Sequence, residues 1–162
     1  MVKIGIIFFA IFIIGNFAIN YFYKNKRKQL LDAIGSKDFI QIKNIKTEIY
    51  SKGILSVSWR IFISEIILFE DNLFVMLKNS NLGGIITQYQ PIIQISRSEN
   101  SKTYDGVLRN QVLENVEFIN TKVRLYSTQQ TPIKFSTEIE LNFRKKNEEL
   151  KIVTEFIKEK LN

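Results

Sequence analysis

The apolar run from Ile4 to Tyr23 is the feature that most constrains this chain. Its twenty consecutive residues carry no charge and are mostly Ile, Phe and Ala, with Asn16 and Asn20 the only strongly polar members. As an α-helix rising about 1.5 Å per residue, the run is about 30 Å long, the hydrocarbon thickness of a bilayer. It lacks the polar stripe of a helix in a soluble core. We therefore predict a transmembrane helix whose membrane-spanning residues include Ile4, Ile7, Phe8, Ile11, Phe12, Ile14, Phe17 and Ile19.

A basic cluster follows this run directly. Four cations lie within five positions, Lys24, Lys26, Arg27 and Lys28, whereas only Lys3 precedes the run. The positive-inside rule then predicts a single-pass protein whose C-terminal domain is cytoplasmic. In that orientation the four cations contact anionic lipid, at about 1 kcal/mol of attraction each.

Two alternatives to this topology remain open. A short anchor with a basic start also exports C-terminal domains, which would place the domain on the periplasmic or extracytoplasmic side. A cleavable signal would release a secreted domain, with cleavage after Ala18. The apolar run is longer than a signal of about 7–15 residues requires, and no good pair of small residues follows it.

Charge and composition argue against several function classes. The chain has a net charge of +7, but residues 1–28 hold five cations and no acid, which leaves 18 basic and 16 acidic side chains for the remainder, a net charge of +2. No basic stripe with interleaved aromatics marks a nucleic-acid surface. The chain has no His and no Cys, so imidazole bases, thiolate nucleophiles and the usual zinc ligands are excluded. We predict no enzyme activity, no metal and no cofactor, and we identify no small-molecule substrate.

The rest of the chain reads as strands followed by one helix. A short connector, residues 29–38, precedes a change to a period of two from Phe39 onward. Two apolar runs around Glu70-Asp71-Asn72 predict a hairpin. In the strand from Ile54 to Ser64 the residues that alternate towards the core are predicted to be Leu55, Val57, Trp59, Ile61 and Ile63.

The C-terminal segment has the clearest pattern in the chain. Alternation from Ile133 to Arg144 predicts a half-buried antiparallel strand. A helix follows, with Asn147 as its predicted N-cap and with a single apolar stripe of Leu150, Val153, Phe156, Ile157 and Leu161. The carboxylates of Glu138 and Glu140 share one strand face, where we favour a mixed-charge surface over acid-base chemistry.

About seven strands in consecutive hairpins, closed by one C-terminal amphipathic helix, resemble the order of elements in pleckstrin-homology-like (PH/GRAM-type) domains. Two segments carry the resemblance: "ISEIILFEDNLFVMLKN" (63–79) and "IKFSTEIELNFRKKNEELKIVTEFIKEKL" (133–161). The resemblance implies that the helix plugs one end of a bent sheet, while loops at the other end bind headgroups or peptides. Phe62 stands where inositide-binding members have a further basic residue.

The predicted fold class is therefore α+β: a mostly antiparallel PH-like bent sheet or barrel of about seven strands with a C-terminal helix, plus the transmembrane helix. The predicted domains are a membrane anchor with its basic flank (1–28), the connector (29–38) and the PH-like domain (39–162). Contacts with a partner are predicted at Lys52, Arg60, Arg144, Lys145 and Lys146.

The function predicted from these features is binding rather than catalysis. We expect a membrane-anchored binding or scaffold domain that recruits another protein or anionic lipid at the membrane surface. The alternative is a structural accessory subunit of a membrane complex that assembles through its apolar helix, with Asn16 and Asn20 bonding across a helix pair.

Overall fold

The computed structural model describes residues 2–35, 37–52, 57–81, 86–98, 100–129 and 135–161. Within these ranges, the side chains of residues 2–6, 8, 57, 80, 81 and 86 lie outside the description. The chain begins with a long helix, α1, which runs without a break from Val2 to Ile34. The predicted anchor and most of the predicted connector therefore belong to one helix.

Seven strands follow α1 and form a closed barrel in sequence order. They are β1 (Ile40–Lys52), β2 (Val57–Phe69), β3 (Asn72–Asn81), β4 (Ile86–Ser96), β5 (Arg109–Ile119), β6 (Lys122–Gln129) and β7 (Phe135–Asn142). Every pair of neighbouring strands except β4–β5 is antiparallel, and β7 closes the barrel against β1. The pair β4–β5 is parallel, with Ile93 opposite Arg109. The chain therefore crosses back between these two strands through residues 97–108, instead of turning in the predicted hairpin.

The closing helix α2 covers one end of the barrel. It spans Asn147–Phe156 and continues as a π-helical turn, Ile157–Leu161. Val153, Ile157 and Leu161 are buried and join the barrel interior, while Leu150 and Phe156 pack at its edge. The predicted apolar stripe is confirmed. The N-cap position is occupied by Lys146 rather than Asn147, and no side chain caps the helix.

The barrel interior changes character along its axis. Towards α2 it is apolar, with Ile66, Leu141 and Phe143 fully buried. Towards the opposite end, which we call the barrel mouth, polar side chains bond one another. Ser127 Oγ donates to Gln111 Oε1 at 2.7 Å, and Gln111 Nε2 donates to Thr137 Oγ1 at 3.0 Å. These buried polar groups are satisfied within the barrel wall.

A second apolar cluster lies outside the barrel, beneath the C-terminal part of α1. Its members are Leu30, Ile34, Ile67, Phe69, Phe74, Met76, Ile92 and Tyr104. The middle of β2 and β3 is thus buried on both faces, by the interior on one side and by α1 on the other. This two-sided burial explains why Ile66–Phe69 and Leu73–Leu77 read as continuous apolar runs rather than as alternating strands.

The predicted transmembrane helix is wrong for the part of the chain that the structure describes, in which no helix is long and apolar enough to cross a bilayer. Asn20, which lies inside the predicted span, is instead bonded to the barrel, because its side-chain Nδ2 donates to the Thr87 carbonyl at 3.0 Å. The fold class is corrected accordingly to a closed seven-strand barrel with an N-terminal helix and a short C-terminal helix.

The predicted facing of β2 is also wrong. Trp59 is 61% exposed and Ile61 is exposed, whereas Phe62 points into the barrel core. Leu55 and the side chain of Val57 lie outside the described residues. The interior side continues through Ser64, whose hydroxyl lies 2.6 Å from Thr47 Oγ1, so a serine is accommodated inside. Alternation alone could not choose a side because both faces of β2 carry apolar residues from Ile61 onward, such as Phe62 on one face and Ile63 on the other.

The corrected facing of β2 is testable with two aromatic truncations. Phe62→Ala is expected to lower the free energy of unfolding by about 3–5 kcal/mol, because it leaves a cavity in the core. Trp59→Ala removes a larger but exposed side chain, and we expect a change of about 1 kcal/mol or less. Chemical denaturation of both variants, followed by circular dichroism, measures the difference. A larger loss for Trp59→Ala than for Phe62→Ala would contradict this facing.

Candidate functional site

Residues 9–22 of α1, here called the apolar segment, carry a run of large apolar side chains that are exposed. Phe17 is 72% exposed, and the others extend around every side of the helix: Phe9, Ile11, Phe12, Ile13, Ile14, Ile19, Tyr21 and Phe22. A Cβ atom built on Gly15 meets no atom within 4 Å. A continuous apolar surface of this kind makes the segment a candidate interaction site.

The direction of the apolar segment follows from how α1 is fixed to the barrel. Asn20 Nδ2 donates to the Thr87 carbonyl at 3.0 Å, and the Tyr89 N–H donates to Asn20 Oδ1 at 2.8 Å. Thr87 and Tyr89 lie at the start of β4, at the barrel mouth. Leu30 and Ile34, by contrast, pack further along the wall towards the α2 end. The residues before Asn20 therefore extend past the barrel mouth.

Arg27 is the polar centre of this helix–barrel contact. Only 7% of its surface is exposed, and its Nη2 donates to the Leu77 carbonyl. The guanidinium lies over the Tyr89 ring, 4.5 Å from its centroid. Burial lowers the pKa of Arg27, and the charges of Glu65 and Tyr89 oppose that shift. The sequence-based prediction grouped Arg27 with three lipid-facing lysines, but the structure places it against the barrel.

The crossover between β4 and β5 holds α1 from its other side. Gly106 has a φ of +92°, and a Cβ atom there would lie 2.1 Å from the Lys26 carbonyl oxygen. Tyr104 is buried in the second cluster, where its ring meets Phe69 and Phe74 edge-on. The Tyr104 hydroxyl donates to Glu70, and Lys37 Nζ pairs with the same carboxylate at 2.9 Å. The hydrogen bond from Tyr104 and the one from Lys37 lower the pKa of Glu70.

A cleft of about 700 Å³ lies between α1 and strands β2, β3 and β4. Four cations line it, Lys24, Arg27, Lys28 and Lys78, together with one carboxylate, Glu65. Lys78 Nζ pairs with Glu65 Oε1 at 3.1 Å. Lys24 and Lys28 are exposed and stand four residues apart on the same side of the helix. Lys26 faces elsewhere, donating to Gln29 Oε1 at 3.0 Å.

The predicted partner contacts are divided between the two ends of the barrel. Lys52, at the end of β1, and Arg60, near the start of β2, lie at the mouth, where Arg60 and Arg109 line a cavity of about 280 Å³. Arg144, Lys145 and Lys146 lie at the α2 end, where Lys146 Nζ donates to the Lys43 carbonyl. The five residues do not form one surface.

The remaining sites named from the sequence are placed as follows. Ile7, Ile11, Phe12, Ile14, Phe17 and Ile19 are exposed on α1, whereas the side chains of Ile4 and Phe8 lie outside the described part.

On the barrel wall Arg124 pairs with Glu138 at 3.1 Å and with Glu140 at 2.9 Å. Burial raises the pKa of Glu140, but hydrogen bonds from Lys122 and Arg124 outweigh it, so the net shift is downward. This pairing agrees with the mixed-charge surface favoured from the sequence.

The sequence matches no known family model, and no significant match was found among curated proteins or solved structures. The geometry of the chain itself must therefore carry the functional argument. The sequence had indicated the apolar run and its cations, but not the cleft, since Glu65, Lys78 and Tyr89 are far from α1 along the chain. Only the continuous apolar runs of β2 and β3 signalled that something covers their outer faces.

Two glycine substitutions test how closely α1 and the crossover pack. Gly106→Ala is expected to lower the free energy of unfolding by about 2 kcal/mol or more, because it adds strain at a positive φ and pushes against the Lys26 carbonyl. Gly15→Ala is the matched control. It should raise helix stability by about 1 kcal/mol or less, since alanine favours a helix and space is open there. Thermal unfolding, together with the rate of trypsin cleavage after Lys28, measures both variants; equal effects would contradict the close contact.

Proposed function

We propose that this protein is a non-enzymatic binding or scaffold module held at a membrane by insertion of the apolar segment. The module recruits a protein partner or anionic lipid at that surface. The single observation that carries the proposal is the exposed apolar side chains around the whole of residues 9–22, on a helix whose following turns are fixed to a folded barrel. Burying such side chains in hydrocarbon releases about 1.5–3 kcal/mol each.

The charge beside the apolar segment supports lipid as its occupant. Lys24 and Lys28 are exposed within two turns of Phe22. Each cation close to an anionic surface adds about 1 kcal/mol of attraction. Since the cytoplasmic leaflet is the anionic one, we place the barrel on the cytoplasmic side. The depth of insertion follows from the docking of α1, because Asn20 and Arg27 hold the helix to the barrel below the segment.

A pleckstrin-homology-like relationship supports a binding role. Seven strands in barrel order with a plugging C-terminal helix fit such a domain. The barrel mouth, on the same side as the apolar segment, then faces the membrane. Arg60 and Arg109 line this mouth. A fold of this kind supports binding in general and names no ligand.

The alternative, an accessory subunit that pairs α1 with the helices of a membrane complex, has less support. Asn16 Nδ2 donates to the Phe12 carbonyl at 2.8 Å within its own helix, and Asn20 is bonded to β4. Both amides thus have partners in this chain, although helix pairing had been expected to use them.

Vesicle flotation tests the proposal. The double variant Phe12→Asp/Phe17→Asp places two charges in the apolar segment, and we expect its partition to phosphatidylcholine–phosphatidylglycerol vesicles to fall by about tenfold or more. The matched control is Phe118→Asp/Ile119→Asp, which makes the same change at exposed apolar positions of the barrel wall, at the end away from the mouth. Control partition should equal that of the unchanged chain.

Two results would count against the proposal. Equal partition of the apolar-segment variant and the unchanged chain would show that another surface meets lipid. Failure of the unchanged chain to float, combined with co-purification of an integral membrane protein that the apolar-segment variant loses, would favour the accessory-subunit alternative.

A further inference from the structure

We propose that the cleft between α1 and strands β2–β4 binds a phosphate ester, supplied by the headgroup of an anionic phospholipid. The choice of lipid as its source rests on the proposed function, whereas the phosphate site rests on the cleft itself. A volume of about 700 Å³ is within the range of ligand pockets. Four cations against one carboxylate give its lining a net charge of +3.

Arg27 is the built part of the site. Its side chain is more than nine-tenths buried, yet its Nε–H has no acceptor among the residues that the structure describes. A buried donor left without a partner costs about 1–3 kcal/mol. The Leu77 carbonyl and the Tyr89 ring fix the plane of the guanidinium, so its remaining N–H groups have a set direction. A planar guanidinium held in this way suits a phosphate oxygen pair.

The charges around Arg27 favour an anion. Glu65 is the one carboxylate of the lining, and the Lys78 ammonium neutralises it at 3.1 Å. Lys24 and Lys28 at the rim have no ion pair among the described residues. Uncompensated cations in a concave surface concentrate anions at its entrance.

The position of the cleft on α1 favours a lipid headgroup over a free phosphate. Tyr21 and Lys24 line the cleft, while the apolar segment ends at Phe22, so the cleft begins where the inserted helix would leave the hydrocarbon. Along the helix, Lys24 is about 3 Å from Phe22. The lining is also partly apolar, through Leu31, Ile63 and Met76, which suits the glycerol and upper acyl groups of a lipid.

Native mass spectrometry of the full chain, released from a neutral detergent, tests the site. The probes are phosphatidylglycerol, phosphatidylcholine and glycerol 1-phosphate. We expect phosphatidylglycerol to bind about tenfold more tightly than phosphatidylcholine, whose choline cation opposes those of the cleft. Lys24→Gln/Lys28→Gln and, separately, Arg27→Lys should each weaken phosphatidylglycerol binding by about fivefold or more.

The matched control removes two charges elsewhere. Lys43→Gln/Lys160→Gln changes two exposed lysines of the barrel end that α2 covers, and it should bind phosphatidylglycerol as the unchanged chain does. Circular dichroism shows whether Arg27→Lys remains folded. If it does not, the double variant Lys24→Gln/Lys28→Gln provides the test, because both of its lysines are exposed.

Three results would overturn parts of this inference. Equal binding of phosphatidylglycerol and phosphatidylcholine would overturn the anionic headgroup as the ligand, and equal loss in the control would overturn the cleft as its site. Binding of glycerol 1-phosphate as tight as that of phosphatidylglycerol would overturn the lipid source. Flotation on phosphatidylcholine vesicles distinguishes these results from failure of the proposed function, because flotation on neutral lipid depends on the apolar segment and not on the cleft.

Discussion

The packing of α1 on the outer face of β2, β3 and β4 is the contact on which the rest of the structure depends. Leu30 and Ile34 are buried there, and they cover side chains that would otherwise form a large apolar patch on the barrel wall, such as Ile67 and Phe74. Burial of each such side chain contributes about 1.5–3 kcal/mol. Arg27 lies within the same contact, held by the Leu77 carbonyl and the Tyr89 ring. One helix is thus fixed in both position and direction.

This contact gives the molecule two different ends. The mouth of the barrel, the exposed apolar segment and the rim lysines of the cleft all lie towards one side, whereas α2 and the basic turn Arg144–Lys146 lie at the other. The polar network of Gln111, Ser127 and Thr137 lies inside the barrel towards the mouth, and the apolar core lies towards α2. The groups that the proposed membrane contact would use therefore lie at one end of the molecule, although they are not close in sequence.

The predictions of strand and helix facing were confirmed for segments that have one solvent-exposed face. The strand β7 alternates with Thr137, Ile139 and Leu141 buried, and α2 places a single stripe on the barrel, because each of these elements has solvent on its other side. The predicted facing of β2 was wrong, because both of its faces carry apolar residues and the alternation does not show which face is buried. The prediction for the β4–β5 crossover was also wrong. The polar residues 96–106 are typical of a surface loop, although Tyr104 and Gly106 in fact pack beneath α1.

The sequence by itself determined that residues 4–23 are apolar on every side, that four cations follow them, and that a strand-rich domain ends in an amphipathic helix. These are local properties, set by composition and period. Tertiary structure alone decided that Arg27 turns away from its neighbouring lysines to the barrel, that Trp59 faces solvent, and that Lys78 and Glu65 join Lys24 and Lys28 in one cleft. The reason is that these outcomes depend on how α1 packs against the barrel, and hydrogen bonds between residues 50 to 69 positions apart fix that packing.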